Sequence, residues 1–375
     1  MGMSDMEQEL REQGFEWTHG ERVCLDCITN SQLRRNSQPK AVDVDEPCIG
    51  CGRRGPTVEA DDILTEMIRA VRLLYGYAVD FVPWEGGYVF ETTSARDVIR
   101  DEFYGDLTDE VMEALSGYVS DESLARDLDK SDDLLRAWDE FERVRVAGEK
   151  PAWGTGDAFL HDFGGFLTRT PSLLRQATTK PTYWRVRTLD HPKSLADYDC
   201  AAQMGSSIPK YASDSRFSTA GSPMFYGAED AVTAVREVFQ GGRTGNAVIA
   251  EFDAARPLLL LDLVNLPPEP SIYDRSQTEL FLVLRFLRNF AREVSKPVVK
   301  TPSLKHYAAT QGFTSMIQSL SSPRIDGIRY SSSLTGKPCV AIFALAAHCA
   351  DPGDVSPATL LVYKPSTLRS EVVPV

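Results

Sequence analysis

The stretch Ser215–Tyr226 reads S-R-F-S-T-A-G-S-P-M-F-Y, and an amphipathic helix is predicted directly after it, from Ala228 to Phe239. Arg216 stands ten positions before Tyr226, Glu237 follows that tyrosine by eleven positions, and Ser332 lies farther along the same part of the chain. Each of these residues taken singly has an ordinary structural explanation, such as a solvated helix charge or a loop serine. Their order and spacing together indicate a functional site.

The residues around this stretch alternate between short strands and helices. Helices are also predicted at Thr278–Ser295 and Tyr307–Leu320. The predicted strands are Tyr183–Arg187, Ala247–Phe252, Leu258–Leu261, Gly327–Tyr330, Val340–Phe343 and Leu360–Tyr363. This mixture over residues 183–375 predicts an α+β domain with its own core.

The chain ahead of that domain has a different texture. Residues 1–57 are predicted to form a small metal-binding module, residues 58–150 a helical domain, and residues 151–182, with several Pro and Gly, a connector. Helices are predicted from Ile63 to Leu74, with Asp61 or Asp62 as N-cap, and at Val98–Phe103, Val111–Leu115 and Leu134–Val144.

Four cysteines form a C-x2-C-x20-C-x2-C pattern: Cys24, Cys27, Cys48 and Cys51. Two such knuckles supply a closed shell of four thiolates, which is typical of structural Zn²⁺ and leaves no open position for catalysis. The module either stabilises the fold alone or also binds a partner or nucleic acid through its basic residues, Arg34, Arg35, Lys40, Arg53 and Arg54.

Composition restricts the class of protein. The 375 residues carry a net charge of −14, which argues against general binding to nucleic-acid phosphates. No membrane-spanning run and no leader peptide is recognised. Seven cysteines, with paired C-x-x-C spacing, indicate a reducing compartment, so a cytoplasmic protein is expected.

Residues 183–375 resemble the RES family, toxins of bacterial toxin–antitoxin systems that are named for an Arg, a Glu and a Ser. The matching segments are Tyr183–Arg187 (opening strand with its Arg), Arg216–Tyr226 (G-R-[FW] segment with a Pro and a strand-end Tyr), Ala228–Glu237 (helix with its Glu), Tyr307 with Thr310 and Gln311 (Y-x-x-T-Q), and Asp326–Ser332 (D-G-[apolar]-x-Tyr-Pro-Ser). Ser215 stands where the family has Gly, and Ser331 where it has Pro. The choice among Ser331, Ser332 and Ser333 is open by one position.

The front of the chain is similar to the zinc-bearing HEPN-like domain that precedes some RES domains. Residues 58–150 contain no histidine, so they lack the Arg-x4–6-His motif of ribonucleases of the HEPN class. A ribonuclease activity is therefore not expected there. The five histidines of the chain form no paired metal-ligand spacing, and no G-x-S-x-G or Walker A sequence is present.

The resemblance implies a fold related to ADP-ribosyltransferases, NAD⁺ as substrate, cleavage of the nicotinamide–ribose bond by hydrolysis or phosphorolysis, and an antitoxin as partner. It assigns Glu237 to the developing ribose cation, Arg185 and Arg216 to the diphosphate with Arg187 in reserve, Tyr226 to ring stacking, and Ser332 to a hydroxyl or amide of the substrate. Two alternatives stay open: transfer of ADP-ribose to a protein or nucleic acid, and a non-catalytic zinc-ribbon adaptor.

Overall fold

The computed structural model describes residue 8 and residues 10–12, 14–77, 92–126, 163–176, 180–189, 193–240, 243–295 and 308–374. The predicted helix from Leu134 to Val144 and Tyr307 of the Y-x-x-T-Q element lie outside these residues. Contacts between residues divide the chain into two units, Met1–Arg136 with Glu269–Val283, and Ala137–Pro268 with Leu284–Val375.

The first unit combines helices with two small sheets. One sheet has the strand order β1-β3-β2 and the other β4-β6-β5. The helices are α1 (Ser31–Ser37), α2 (Ala60–Leu74), α3 (Ala95–Glu102) and α4 (Asp109–Ser116). The strands are β1 (Arg22–Cys24), β2 (Val42–Val44), β3 (Gly55–Glu59), β4 (Tyr75–Tyr77), β5 (Thr92–Ser94) and β6 (Ser123–Arg126). Helices α2, α3 and α4 were predicted from the sequence, whereas α1 and the short strands were missed.

Helix α2 is the centre of the first unit because its apolar positions recur at helical spacing and are fully buried, as at Ile63, Met67 and Ala70. Its N-cap is Glu59, one residue before Ala60, so the prediction of Asp61 or Asp62 as cap was wrong. Asp61 lies in the first turn, where its carboxylate accepts the backbone N–H of Thr18 (3.0 Å).

The segment Glu269–Val283 also belongs to the first unit, although it comes late in the chain. Tyr273 is fully buried in that unit's core and donates its hydroxyl to Asp106 (2.7 Å). Arg275 forms an ion pair with Glu66 (2.6 Å). The division between the two units therefore falls inside the helix that begins at Thr278. The domain boundaries that were predicted from the sequence remain predictions.

The second unit is built on a mixed sheet of nine strands in the order β14-β15-β10-β8-β9-β13-β12-β11-β7. The strands are β7 (Leu174–Gln176), β8 (Thr182–Thr188), β9 (Phe225–Ala228), β10 (Gly245–Ala254), β11 (Leu259–Asp262), β12 (Gly327–Ser331), β13 (Pro338–Ile342), β14 (Cys349–Ala350) and β15 (Leu361–Val373). The helices are α5 (Ala201–Met204), α6 (Ala231–Val238), α7 (Thr278–Val294) and α8 (Ala308–Ser319), and residues 163–169 are also helical.

All six strands predicted for this domain are confirmed, and the predicted fold class, an α+β protein with a mixed α/β sheet domain behind a helical one, is confirmed as well. The helix carrying Glu237 begins at Ala231 and not at Ala228, because β9 occupies Phe225–Ala228. Asp230 caps that helix by accepting the backbone N–H of Thr233 (2.9 Å). The region predicted as a connector contributes β7 to the edge of the sheet.

The nine-stranded sheet is nearly divided in two at its centre. Strands β8 and β9 share one residue pair, Trp184 with Ala228, whereas β8 pairs with β10 over seven residues. Beyond that single pair the two strands form no further ladder pairs. The ladder is therefore interrupted in the middle of the sheet from Arg185 on β8 and Gly227 on β9, and we call this interruption the gap.

Candidate functional site

The four cysteines of the front module lie together. Their sulfur atoms are all within 4.8 Å of one another, with 3.5 Å between Cys24 and Cys51 and 3.8 Å between Cys27 and Cys48. A tetrahedral ion with Zn–S distances near ~2.3 Å holds its sulfurs about 3.8 Å apart, so the four thiols fit such an ion. Sequence reasoning identified the complete ligand set because the spacing alone defines it.

Burial raises the pKa of Cys24 and Cys27, whereas backbone amides favour the thiolate form of Cys48. Burial acts to raise the pKa of Cys48, but the backbone N–H groups of Cys24, Cys51 and Gly50 outweigh it and lower that pKa to about 7. Gly50 is required by close packing, because a Cβ there would lie 2.4 Å from a side-chain carbon of Val111. The knuckle is therefore fixed against helix α4 in a conformation that directs its N–H groups at sulfur.

Two arginines of β8 lie at the gap in the sheet. Arg185 donates to the backbone carbonyl of Tyr226, a residue of β9 that has no ladder partner on β8. The guanidinium of Arg185 lies 5.3 Å from the ring centre of Phe225. Arg187 donates to the carbonyl of Gly205 (2.5 Å). The strand alternates its side chains, so both arginines lie on the same face.

These two guanidinium groups are buried without a carboxylate. Among the described residues neither forms an ion pair, and the Nε atom of each has no hydrogen-bond partner. Burial lowers the pKa of Arg185, and the adjacent charge of Arg187 lowers it further. A guanidinium starts from a pKa above ~12 and stays charged near neutral pH, so Arg185 and Arg187 form a desolvated, positively charged site suited to an anion.

Tyr226 is held by the loop that contains Arg216. Its hydroxyl lies 2.5 Å from Ser215 Oγ and 3.0 Å from Ser218 Oγ. Burial raises the pKa of Tyr226, although these two hydrogen bonds act against the shift. The Tyr226 hydroxyl is therefore occupied by hydrogen bonds within the protein, and the ring is the part of this side chain that remains for contact with a ligand.

Helix α8 fixes the same loop from the other side. Thr310 Oγ1 donates to the carbonyl of Arg216 (2.5 Å), and Gln311 Nε2 donates to the carbonyls of Ser215 (2.8 Å) and Ser218 (3.2 Å). The T-Q dipeptide thus binds three backbone carbonyls between Ser215 and Ser218 and orients this part of the loop. Sequence reasoning noticed the dipeptide but gave it no role, because its partners are more than 90 residues away along the chain.

Glu237 and Ser332 are in direct contact. Ser332 Oγ donates to Glu237 Oε1 (2.5 Å) and accepts the backbone N–H groups of Leu334 (3.1 Å) and Thr335 (3.2 Å). The two accepted bonds orient the hydroxyl, so its one proton points at the carboxylate. Of the three consecutive serines, Ser332 is the one whose side chain meets Glu237 in the structure.

Tyr330 connects the remaining parts of the site. Burial raises its pKa well above the usual range, the negative charges of Cys339 and Glu237 act in the same direction, and Arg216 acts against them. Its ring lies 4.8 Å from that of Phe217. Phe217 directly follows Arg216, and Tyr330 lies two residues before Ser332, so the ring contact brings the Arg216 loop near the strand end whose serine contacts Glu237. Sequence reasoning did not single out Tyr330.

No helix among the described residues is long and apolar enough to cross a membrane. The family model of the RES domain matches residues 182–362, and the family model described as HEPN/RES N-terminal domain 1 matches residues 41–146. No curated protein matches the chain. No solved structure matches it either.

Proposed function

The chain belongs to the RES-domain family, with a HEPN/RES N-terminal domain ahead of its RES domain, and on that premise we propose that it cleaves the nicotinamide–ribose bond of NAD⁺. The family as a whole is associated with toxin–antitoxin systems and with NAD. The single observation that carries the proposal is the contact between Ser332 and Glu237, close to Tyr330, whose ring contacts that of Phe217 beside Arg216.

The chemistry of the bond suits a site with one carboxylate. Nicotinamide is bound to ribose as a cationic pyridinium, so it leaves as a neutral molecule and needs no general acid. The ribose carbon then carries a developing positive charge like that of other glycosidic cleavages. A carboxylate held beside that charge lowers the barrier electrostatically, and Glu237 is the residue to which we assign this role. The hydrogen bond from Ser332 keeps the carboxylate oxygen of Glu237 in place.

The anionic part of NAD⁺ suits the arginines. Two guanidinium groups can grip the oxygens of a diphosphate through paired N–H donors. Arg185 and Arg187 supply buried positive charge without a carboxylate among the described residues, and Arg216 lies on a loop that helix α8 holds rigidly. We propose that the diphosphate binds at the gap between β8 and β9 with Arg185 and Arg216, and that the ring of Tyr226 contacts the nicotinamide.

The proposal is tested by incubating purified protein with NAD⁺, with and without phosphate, and identifying the products. Free nicotinamide is expected, and Glu237→Ala or Arg216→Ala should lower its rate of release by at least ~10². Arg236→Ala is the matched control, because Arg236 is the exposed neighbour of Glu237 on helix α6. Full turnover in Glu237→Ala would refute the mechanism. Label from the ADP-ribose part that stays on a macromolecule would instead indicate a transferase.

We also propose that the four cysteines bind one structural zinc ion per chain. The four sulfur atoms and the amides around Cys48 support the assignment. Elemental analysis should give one zinc per chain, and Cys51→Ser should lower both that content and the melting temperature. Protein that is fully folded and free of zinc would contradict the proposal. A cytoplasmic location and an antitoxin partner stay predictions.

A further inference from the structure

Strand β15 is much longer than the strand that covers its outer edge. It runs for 13 residues and pairs with β10 along nearly its whole length. On its other side β14 pairs only with Leu361 and Val362. Within the described part of the chain, the outer backbone N–H and C=O groups from Leu368 to Val373 therefore have no strand beside them.

This edge lacks the features that normally prevent a sheet from pairing with another chain. Natural edges are protected by lysine, proline or a bulge. On β15 the register shift lies between Lys364 and Arg369, so Lys364, Pro365 and the irregular stretch precede the regularly paired residues Arg369–Val373. Leu368–Val373 reads L-R-S-E-V-V, contains no Lys or Pro, and carries one positive and one negative charge. Val372 is 72% exposed, an unusual state for a large apolar residue in a strand.

The same six residues are complementary to a second copy of themselves. If two copies pair antiparallel with the two-fold axis at Ser370, Arg369 lies opposite Glu371 of the other copy and Leu368 lies opposite Val372. Residues directly opposite each other in an antiparallel pair share a face. The dimer would therefore contain two ion pairs and two apolar pairs, because each pair occurs once on either side of the two-fold axis.

Neighbouring registers are less favourable. An axis at Arg369 sets two arginines against each other, and an axis at Glu371 sets two glutamates against each other, which is destabilising for directly opposed residues. The pattern thus selects one register. Inside its own chain, Leu368 packs against the core of the second unit and Arg369 lies 4.8 Å from the ring of Trp184, so both side chains are already positioned.

We propose that Leu368–Val373 of β15 is a homodimer surface, on which a second copy of the chain continues the sheet in an antiparallel arrangement centred on Ser370. The occupant is a second copy because the charge order is self-complementary: in the antiparallel pair each arginine lies opposite a glutamate of the other copy. Pairing would satisfy the free backbone groups of both edges and cover Val372 with the partner copy's leucine.

The experiment measures molar mass by sedimentation of the full-length, zinc-loaded protein over a concentration series. The wild type should form a dimer. In Glu371→Arg, two arginines lie opposite each other on either side of the two-fold axis. The dissociation constant of the dimer should therefore rise by about tenfold or more. Arg369→Glu should do the same, and the combined variant R369E/E371R should restore it, since it exchanges the charges without changing their pairing. Glu46→Arg, at an exposed site of the first unit, is the control.

A second measurement fixes the register and does not depend on the charge variants. Ser370→Cys places a thiol opposite its own copy on the two-fold axis, so mild oxidation should link two chains. Ser321→Cys, an exposed serine outside β15, should not link them. A wild type that stays monomeric, a dimer that Glu371→Arg leaves intact, or no link through Ser370→Cys would each overturn the proposal.

Discussion

Replacing Ser332 by alanine removes the hydroxyl proton that Glu237 accepts. In the structure this contact is 2.5 Å long, and the serine oxygen is fixed by two backbone N–H groups of the turn between β12 and β13. Alanine leaves the turn in place but allows the Glu237 carboxylate to rotate away from the ribose. We therefore expect Ser332→Ala to lower kcat for nicotinamide release more than it changes KM.

The size of the effect follows from the contact that is lost. A hydrogen bond to a charged group contributes about 1.5–3 kcal/mol, and each ~1.4 kcal/mol of barrier is a factor of ten, so kcat should fall by about 10- to 150-fold. Ser333→Ala is the matched control, because the Ser333 hydroxyl is buried without a hydrogen-bond partner among the described residues. Its removal should leave kcat unchanged.

The assay is steady-state release of nicotinamide from NAD⁺ by four proteins: wild type, Ser332→Ala, Glu237→Ala and the double variant. If the serine acts through the carboxylate, the double variant should be no slower than Glu237→Ala alone. A double variant whose loss equals the product of the two single losses would refute this reasoning. In that case Ser332 would contact the substrate independently of Glu237. Melting temperatures of all four exclude unfolding as the cause.

Gln311→Ala removes the amide that binds two loop carbonyls, so KM for NAD⁺ should rise about tenfold in nicotinamide-release assays, with the melting temperature nearly unchanged. An unaltered KM would contradict the role of the loop. Arg185→Lys keeps a positive charge but loses the planar fork of donors, so calorimetric titration with ADP-ribose should show binding about tenfold weaker. Asp262→Asn deprives the buried Arg329 of a carboxylate and should lower the free energy of unfolding at pH 7 by about 3 kcal/mol. Burial acts to raise the pKa of Asp262, but Asn265 and Arg329 outweigh it and depress that pKa. The contribution is therefore present above the ordinary pKa of an aspartate and is lost as the pH falls through the depressed value, so denaturant titrations of wild type and variant should converge in acid.

The sequence was a good guide to the elements of the second unit. Alternating or continuous apolar runs such as Ala247–Phe252 and Val340–Phe343 gave strands where they were predicted, because burial of one or both faces is written in the local pattern. The strands of the first unit, which have three to five residues, were missed, since so short a run shows hardly any period. The boundary at Ala228 was wrong because an alanine suits the end of a strand as well as the start of a helix.

The candidate site could be predicted only in part. The ordered Arg, Tyr, Glu and Ser were recognised as a set, but their mutual contacts were not. No role could be assigned to Tyr330 or to the T-Q dipeptide from the sequence alone, because residues on an apolar strand and on a polar helix face are ordinary features. Ser332 was expected to meet the substrate, whereas in the structure its hydroxyl donates a hydrogen bond to Glu237.

The sequence by itself determined the cysteine pattern of the front module, six strands and three helices of the second unit, and the order of its charged residues. These features depend on neighbours within a few positions, where spacing and periodicity fix the geometry. Only the tertiary structure decided that β8 and β9 share a single residue pair, that Arg185 lies in the gap, and that Ser332 reaches a carboxylate 95 residues before it. Strand order in a sheet is set by long-range packing, so no local pattern contains it.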